Sequence, residues 1–252
     1  MTLFMIGIGL NNERDISLKG LDAINKSSYV FLENYTSKMN CRVEKLEKLY
    51  GKKINPADRD LVEKNSDEIL NKALDKNVSF LVAGDVFSAT THVDLFLRAR
   101  EKGINIRIIH NSSILTAVGI VGLELYKFGK TASLPFFEKS FIPETPYTVI
   151  FENKKRGLHT LVLLDIKKDK ERFMSVNKGL IQLLELEKKL GKKIILSDSK
   201  IIGCARLGSE RKVIKYGKVK DLLEFDFGKP LHCIIVPGKL HFMEEKMLEI
   251  WK

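Results

Sequence analysis

The order of apolar and polar positions predicts alternating strands and helices through the first 112 residues. The apolar run at 3–10 predicts a buried strand ending in a glycine turn, and the helical spacing of Leu18, Leu21 and Ile24 predicts a helix over 17–28. The same patterns predict further strands at 29–32, 78–82 and 104–109 and helices at 42–50, 58–76 and 91–101, the last begun by a Thr91–Asp94 capping box. This alternation is typical of a parallel α/β sheet.

The remaining residues repeat the theme less regularly. Helices are predicted at 113–128, 143–155, 176–190 and 239–251, and strands at 161–166 and 193–196. Four glycines separate short β-like runs within 201–236, which favours antiparallel pairing there. We expect two domains, residues 1–112 and 113–252.

Composition narrows the class of protein. With 44% hydrophobic residues among 252, the chain has enough apolar material for a core. No apolar stretch approaches the ~20 residues of a membrane helix, and the first ten residues lack a signal-peptide layout. Three widely spaced cysteines suit a reducing compartment. We therefore expect a cytoplasmic protein without membrane contact.

The net charge of +11 is unevenly distributed. Residues 1–112 carry 17 basic and 15 acidic side chains, whereas residues 113–252 carry 26 and 17. A basic half is compatible with a polyanionic partner such as nucleic acid. Its lysines are scattered and rarely alternate with aromatic residues, which favours the simpler interpretation that the charge keeps the protein in solution.

Three segments directly after predicted strands have the residue types of a ligand site. They are 7–10, 84–92 and 110–114, where glycines permit close approach of a ligand and Asp or Ser side chains offer hydrogen bonds. Two of them have a simpler interpretation: Gly7 and Gly9 as an ordinary turn, and Asp85 as a cap of the following loop. Asn12 occupies the third glycine position of a dinucleotide fingerprint.

Several other chemistries are disfavoured. The histidines and cysteines show no metal-ligand spacing, so we expect no metal, and the sequence has no phosphate-binding Gly-Lys-Ser/Thr loop and no Gly-x-Ser-x-Gly elbow. His92 is interpreted as a hydrogen-bonded structural residue, and Cys204 and Cys233 as core packing.

Taken together, ordered segments along almost the whole chain resemble the diphthine synthase family. The matching segments are Gly7-Ile8-Gly9-Leu10, Asp15-Ile16-Ser17-Leu18-Lys19-Gly20-Leu21, Glu33-Asn34-Tyr35-Thr36-Ser37, Gly84 to His92, His110 to Ile114, Ala117-Val118-Gly119, Leu125-Tyr126-Lys127-Phe128-Gly129, Gly157-Leu158-His159-Thr160-Leu161, Leu164-Asp165-Ile166-Lys167, Met174-Ser175-Val176-Asn177, Ala205-Arg206-Leu207-Gly208 and Pro230-Leu231-His232. The Ala-Thr-Thr-His and Tyr-Lys-Phe-Gly strings are the most specific to the family. Val86 is a departure, because the family usually has proline after Gly-Asp.

The resemblance implies two α/β domains of the tetrapyrrole-methylase type. The N-terminal sheet would be mainly parallel and the C-terminal sheet mixed, with S-adenosylmethionine in the cleft between the domains, S-adenosylhomocysteine as product, and a homodimeric assembly. Carried over by position, the residues implied to contact the cofactor are Leu10, Asp85, Ser88, Ser113, Ile114, Leu164, Leu207 and His232. The four apolar ones would supply walls or backbone groups, and Asp85 a polar anchor.

The implied protein substrate is translation elongation factor 2 carrying a 3-amino-3-carboxypropyl-histidine. Its amine would be methylated repeatedly to a trimethylammonium, and in eukaryotic members the carboxylate also becomes a methyl ester. No residue is assigned as a base, and no nucleic acid is required. Two alternatives stay open: a methylase of the same fold acting on a tetrapyrrole or ribosomal RNA, and a non-catalytic basic nucleic-acid-binding protein.

Overall fold

The computed structural model describes residues 1–138 and 141–252. The chain divides into two compact units, Met1–Leu115 and Thr116–Lys252, called unit 1 and unit 2 below. Within the described ranges, no helix is both long enough and apolar enough to span a bilayer.

Unit 1 is a five-stranded parallel sheet with helices between its strands. Every strand pairing is parallel, in the spatial order β3-β2-β4-β1-β5. Its elements are β1 (Thr2–Gly7), α1 (Leu18–Asn25), β2 (Tyr29–Glu33), α2 (Val43–Tyr50), β3 (Asn55–Ala57), α3 (Asp67–Asp75), β4 (Val78–Val82), α4 (Val93–Glu101) and β5 (Asn105–Ile109). The expected mainly parallel N-terminal sheet is confirmed.

Alternation along β1 explains why both faces of this sheet are covered. Leu3 and Met5 belong to one buried cluster, and Phe4 and Ile6 belong to another. Because successive side chains of a strand point to opposite faces, a nearly continuous apolar run requires packing on both.

Unit 2 contains a mixed five-stranded sheet in the order β11-β10-β12-β7-β6. Only the β6–β7 pairing is parallel among these described strands, so the expected mixed C-terminal sheet is also confirmed. Along the chain, the short α5 (Ile114–Ala117) spans the boundary at Leu115 and Thr116. The elements of unit 2 are β6 (Ala132–Leu134), α6 (Thr145–Lys155), β7 (Thr160–Leu164), a small hairpin of β8 (Ile166–Lys167) and β9 (Arg172–Phe173), α7 (Val176–Leu190), β10 (Lys200–Ala205), β11 (Val213–Lys218), α8 (Val219–Glu224), β12 (His232–Val236) and α9 (Phe242–Leu248).

The expected helix over 113–128 is wrong as a continuous element. α5 gives way to a 3₁₀ turn at Val118–Val121, and a second 3₁₀ turn follows at Leu125–Lys127. Gly122 separates the turns with φ 91°, a conformation that a continuing helix does not contain. A Cβ at Gly122 would lie 1.8 Å from Met247 Cγ, so the break also permits close packing against α9.

The expected strand at 193–196 is wrong for a different reason. The backbone N–H groups of Lys193, Ile194 and Ile195 donate to the Glu187 carboxylate at 2.7–2.9 Å instead of to a neighbouring strand. Apolar side chains there suggested a strand, but a carboxylate at the end of α7 satisfies the backbone.

The helices expected over 58–76 and 91–101 also differ from the prediction. A π-helical turn at Asp60–Lys64 precedes α3, because the N–H of Asn65 donates to the carbonyl of Asp60. α4 begins at Val93 without a side-chain cap, and the Thr91 hydroxyl donates to Glu63 instead of capping α4.

Candidate active site

The three segments predicted to bind a ligand lie at one edge of the unit 1 sheet. Because β4, β1 and β5 are adjacent and parallel, their carboxyl ends bring residues 84–92, 7–10 and 110–114 side by side. This is where ligands bind in open parallel α/β sheets. Strand order therefore makes this edge the candidate ligand site of unit 1.

The first loop crosses close to the β4 end. Gly9 and Gly84 exchange two backbone hydrogen bonds, with N···O distances of 3.2 and 2.7 Å. A Cβ at Gly7 would lie 2.6 Å from the Gly84 carbonyl oxygen, so a side chain there would force the strand ends apart. The Asp15 carboxylate accepts the N–H groups of Leu10 and Asn11, which fixes the partly exposed Leu10 at this edge.

Asp85 is the best-connected side chain of the edge. One carboxylate oxygen, Oδ2, accepts His110 Nδ1–H at 2.9 Å and the Asn111 N–H at 3.1 Å. The other, Oδ1, makes 3.3 Å contacts with the Phe87 N–H and the Ser88 hydroxyl. Burial raises the Asp85 pKa, but these hydrogen bonds outweigh burial and hold the pKa below its usual value. Asp85 is therefore an ionised, buried anchor.

The loop that follows Asp85 is held by one carbonyl group. Val86 is fully buried, and its carbonyl oxygen accepts the Thr90 hydroxyl at 2.6 Å and His92 Nδ1–H at 3.2 Å. These bonds restrain the loop where the resembling family has proline. His92 is buried as expected of a structural residue, and in the described residues its Nε2 has no hydrogen-bond partner.

The third segment lies beside Gly84. A Cβ at Gly84 would meet Leu10 Cδ2, the Ser112 carbonyl oxygen and Ser113 Cα at 3.6–4.0 Å, in ordinary contact. Ser113 is buried and Ile114 is partly exposed. Leu10, Asp85, Ser88 and Ser113 are thus brought together around Gly84 and Asp85, with Ile114 next in the chain.

The other three predicted residues lie at one edge of the unit 2 sheet. Leu164 ends β7, His232 begins the adjacent antiparallel β12, and Leu207 follows β10, whose Ala205 pairs with His232. Leu164 packs where a Cβ of Gly179 would approach it to 2.9 Å, which places its side chain in the core. Strand register therefore brings Leu164, Leu207 and His232 to the same edge.

Both ring nitrogens of His232 are engaged. Nδ1 accepts the Val176 N–H at 3.2 Å, so the proton of the neutral ring is on Nε2, which faces the Gly228 and Lys229 carbonyl oxygens at 3.1 and 3.0 Å. Burial lowers the pKa of His232. The ring is a fixed, neutral wall of the edge.

The sequence reasoning did not single out the residues that organise this edge. His110 and Asn111 lie in the segment 110–114, but the sequence predicted no role for either residue. In the structure, the Asn111 amide donates to the Gly7 and Asp15 carbonyl oxygens at 3.0 and 2.9 Å. Their position after an apolar strand was the available signal. Across residues 1–138 and 141–252, no group of three or more His, Cys, Asp or Glu side chains is arranged to hold a metal ion.

Comparisons with known proteins show the family to which the chain belongs. Residues 2–223 match the family described as tetrapyrrole (corrin/porphyrin) methylases. The chain is 51% identical to the diphthine synthase of Methanocaldococcus jannaschii over 250 residues, covering 98% of this chain and 97% of the relative. It is 50% identical to the diphthine synthase of Methanococcus maripaludis strain C5 over 248 residues, covering 98% and 97%.

A plant relative and a solved structure extend the likeness. An Arabidopsis thaliana protein named "Probable diphthine methyl ester synthase" is 45% identical over 271 residues, covering 99% of this chain and 98% of the relative. A crystal structure of diphthine synthase superposes with a TM-score of 0.91 at 37% identity, covering 100% of this chain and 96% of that one. The chain therefore belongs to the diphthine synthase family of the tetrapyrrole methylases, the S-adenosylmethionine-dependent methyltransferases of diphthamide biosynthesis.

Proposed function

We propose that the chain transfers methyl groups from S-adenosylmethionine to the amine of 3-amino-3-carboxypropyl-histidine in translation elongation factor 2. The product is the trimethylammonium form, with a carboxylate methyl ester as a further product if the chain acts like the plant relative's name states. The observation that carries the proposal is identity of about half the residues, over nearly the full length, to relatives named diphthine synthase.

The unit 1 edge fits a cofactor of this kind. The surroundings of Gly84 offer an apolar side chain, Leu10, and the nearby backbone of Ser112 and Ser113. Asp85 supplies an ionised anchor, and its Oδ1, held only by two 3.3 Å contacts, keeps capacity for another donor. The proposed contacts in unit 1 are Leu10, Asp85, Ser88, Ser113 and Ile114.

Unit 2 would contribute backbone groups and fixed surfaces. The Leu164 side chain is in the core, so its backbone is what it offers a ligand, while Leu207 is 6% exposed. His232 has its ring nitrogens engaged within unit 2 and would act as a wall. The proposed contacts in unit 2 are these three residues.

The chemistry divides between the cofactor and the chain. When bound, S-adenosylmethionine supplies an electrophilic sulfonium methyl group. The chain's residues hold the two reactants in line and exclude water. Only the unprotonated amine has a lone pair, and α-amino groups titrate near pH ~8.

The test is mass spectrometry of elongation factor 2 that bears the aminocarboxypropyl-histidine, after incubation with the chain and S-adenosylmethionine. We expect an increase of three methyl groups, or four if the ester also forms. A factor with that histidine replaced is the control and gains none. No increase, with cofactor binding shown by calorimetry, would reject the substrate and direct the search to a tetrapyrrole or RNA.

The proposed assembly is a cytoplasmic homodimer. All three cysteines are free thiols, which suits a reducing compartment. In unit 2, Tyr126, Phe242 and Ile250 are 81%, 68% and 66% exposed, and we propose that they contribute to the contact between two copies of the chain. Light scattering should give twice the 28.7 kDa chain mass, and a concentration-independent monomer mass would reject the dimer.

A further inference from the structure

One histidine at the unit 1 edge is joined to a buried carboxylate and is otherwise open to solvent. His110 Nδ1 lies 2.9 Å from Asp85 Oδ2, and the side chain of His110 is 72% exposed while that of Asp85 is 10% exposed. The Asn111 N–H donates to the same oxygen, which fixes the carboxylate relative to β5. The Asp85 carboxylate of this contact is therefore buried, whereas the His110 ring is mostly open to solvent.

This contact fixes which ring nitrogen of His110 carries the proton. The hydrogen bonds that hold the Asp85 pKa low keep its carboxylate ionised at neutral pH, and an ionised carboxylate only accepts hydrogen bonds. Nδ1 of His110 must therefore donate, and the neutral ring has its lone pair on Nε2. Among residues 1–138 and 141–252, no group forms a hydrogen bond with Nε2 of His110.

The position of this nitrogen matches the proposed chemistry. His110 contacts Asp85 directly and precedes Ser113 and Ile114 by three and four residues, and all three are proposed cofactor contacts. A solvent-exposed imidazole with an unprotonated nitrogen, beside a proposed cofactor contact, has the chemistry of a proton acceptor.

We propose that His110, oriented by Asp85, is the general base that removes a proton from the substrate ammonium before each methyl transfer. This inference rests on the proposed function. In each round one N–H bond breaks and its proton passes to Nε2, leaving the electron pair on the amine nitrogen. The amine electron pair then forms the N–CH₃ bond as the S–CH₃ bond breaks, and the bonding pair of the S–CH₃ bond goes to sulfur. The imidazolium returns its proton to solvent, so three rounds release three protons.

The pH dependence of kcat/KM distinguishes a base from a structural residue. At pH 7 about a tenth of a free α-amino group is neutral, because its pKa is near ~8. Without a base the enzyme must use that neutral fraction. His110→Gln removes the imidazole and should therefore lower kcat/KM by up to about tenfold at pH 7 and match the wild type at pH 9.

The experiment measures kcat/KM from pH 6.5 to 9.5 on modified elongation factor 2 for the wild type, His110→Gln and His241→Gln. His241 is the matched control, an exposed histidine of unit 2 that lies outside the proposed site. Its variant should follow the wild-type profile. Added imidazole should restore part of the pH 7 rate to His110→Ala.

A second measurement needs no substrate. Nitrogen-15 NMR of the neutral His110 ring should show a protonated Nδ1 and a bare Nε2, and His110→Gln should bind S-adenosylhomocysteine within twofold of the wild type. A pH-independent loss of rate, no loss at all, the opposite tautomer, or a large loss of S-adenosylhomocysteine affinity would each overturn the base. A wild type that methylates nothing would instead overturn the proposed function.

Discussion

Each unit contains a hydrogen-bonded pair of a carboxylate and a histidine. The two pairs have nearly the same N···O distance, but the histidine is mostly exposed in unit 1 and buried in unit 2. Asp85 and His110 of unit 1 are 2.9 Å apart, and Glu244 and His159 of unit 2 are 3.0 Å apart. His159 is fully buried and its Nδ1 accepts the Gly238 N–H at 2.9 Å, so both ring nitrogens are engaged. His110 has one nitrogen engaged and is mostly exposed.

The difference shows that the pair itself does not indicate a reaction. Glu244 also accepts the N–H groups of Glu124 and His241 and the Lys127 ammonium, which ties α9 to the segment after Gly122. Every group in that network is satisfied internally, so its role is to stabilise unit 2. Of these two pairs, the unit 1 pair keeps an unengaged ring nitrogen at the proposed ligand edge and so has capacity left for chemistry.

The largest expected effect is on the Glu244 network. Glu244→Ala removes the acceptor of two amides, a lysine and a histidine, and should lower the free energy of unfolding by about 3–5 kcal/mol. Urea denaturation of the intact chain measures it. Glu245→Ala, at the exposed neighbouring position, should stay within about 0.5 kcal/mol of the wild type. Equal effects of the two variants would refute the structural role.

A related effect appears on acidification. Burial raises the pKa of Glu244, but Lys127, the two backbone amides and His159 lower it to about 2, below its ordinary 4.5. A carboxyl group with a lowered folded-state pKa stabilises the fold above the unfolded pKa, and this contribution is lost as pH falls from 4.5 towards 2. The wild type should lose about 3 kcal/mol more than Glu244→Gln over that range in pH-dependent urea titrations. Parallel curves would contradict this.

The same substitution at the two histidines separates their roles. His159→Gln should lower the free energy of unfolding by about 1–3 kcal/mol, because buried hydrogen bonds are left unmade, while its kcat per folded molecule stays unchanged. His110→Gln should leave stability within about 0.5 kcal/mol. Urea titration with an activity assay at pH 7 tests both. Loss of stability at His110, or a changed kcat in folded His159→Gln, would remove the distinction.

The sequence was most informative where local pattern and tertiary structure agree. Apolar runs predicted β1, β4 and β5, and parallel order then brings their carboxyl ends together, so the positions of Asp85 and Ser113 followed from local signals. The short strands β3 and β6 were not predicted, because three residues are too few for a periodic pattern.

Long-range partners could not be predicted from the sequence. The contact between Asp85 and His110 joins residues 25 positions apart, and that between His159 and Glu244 joins residues 85 apart. Strand order and helix docking decide these contacts, and neither leaves a local signal in the residues involved. Glu187 is a similar case. Its carboxylate accepts the backbone N–H groups after α7, where the sequence predicted a strand.

The smallest expected effect concerns Ser88, at the weakly held oxygen of Asp85. The Ser88 hydroxyl lies 3.3 Å from Asp85 Oδ1, a long contact whose loss should change the free energy of unfolding by less than about 0.5 kcal/mol. If Ser88 contacts the cofactor as proposed, Ser88→Ala should weaken S-adenosylhomocysteine binding by about tenfold, the equivalent of one hydrogen bond. Calorimetric titration measures this, with Ser199→Ala of unit 2 as the control.

Ser199 suits this control because its hydroxyl oxygen accepts the Leu196 N–H within its own turn, at the opposite end of β10 from Leu207. Unchanged affinity in Ser88→Ala would show that this hydroxyl serves only the loop. Asp85 Oδ1 would then be the polar group left to meet the cofactor on that side. A loss in both variants would mean that the effect is not specific to the unit 1 edge. A loss in Ser88→Ala alone places the cofactor beside Asp85, on the same side chain that orients His110.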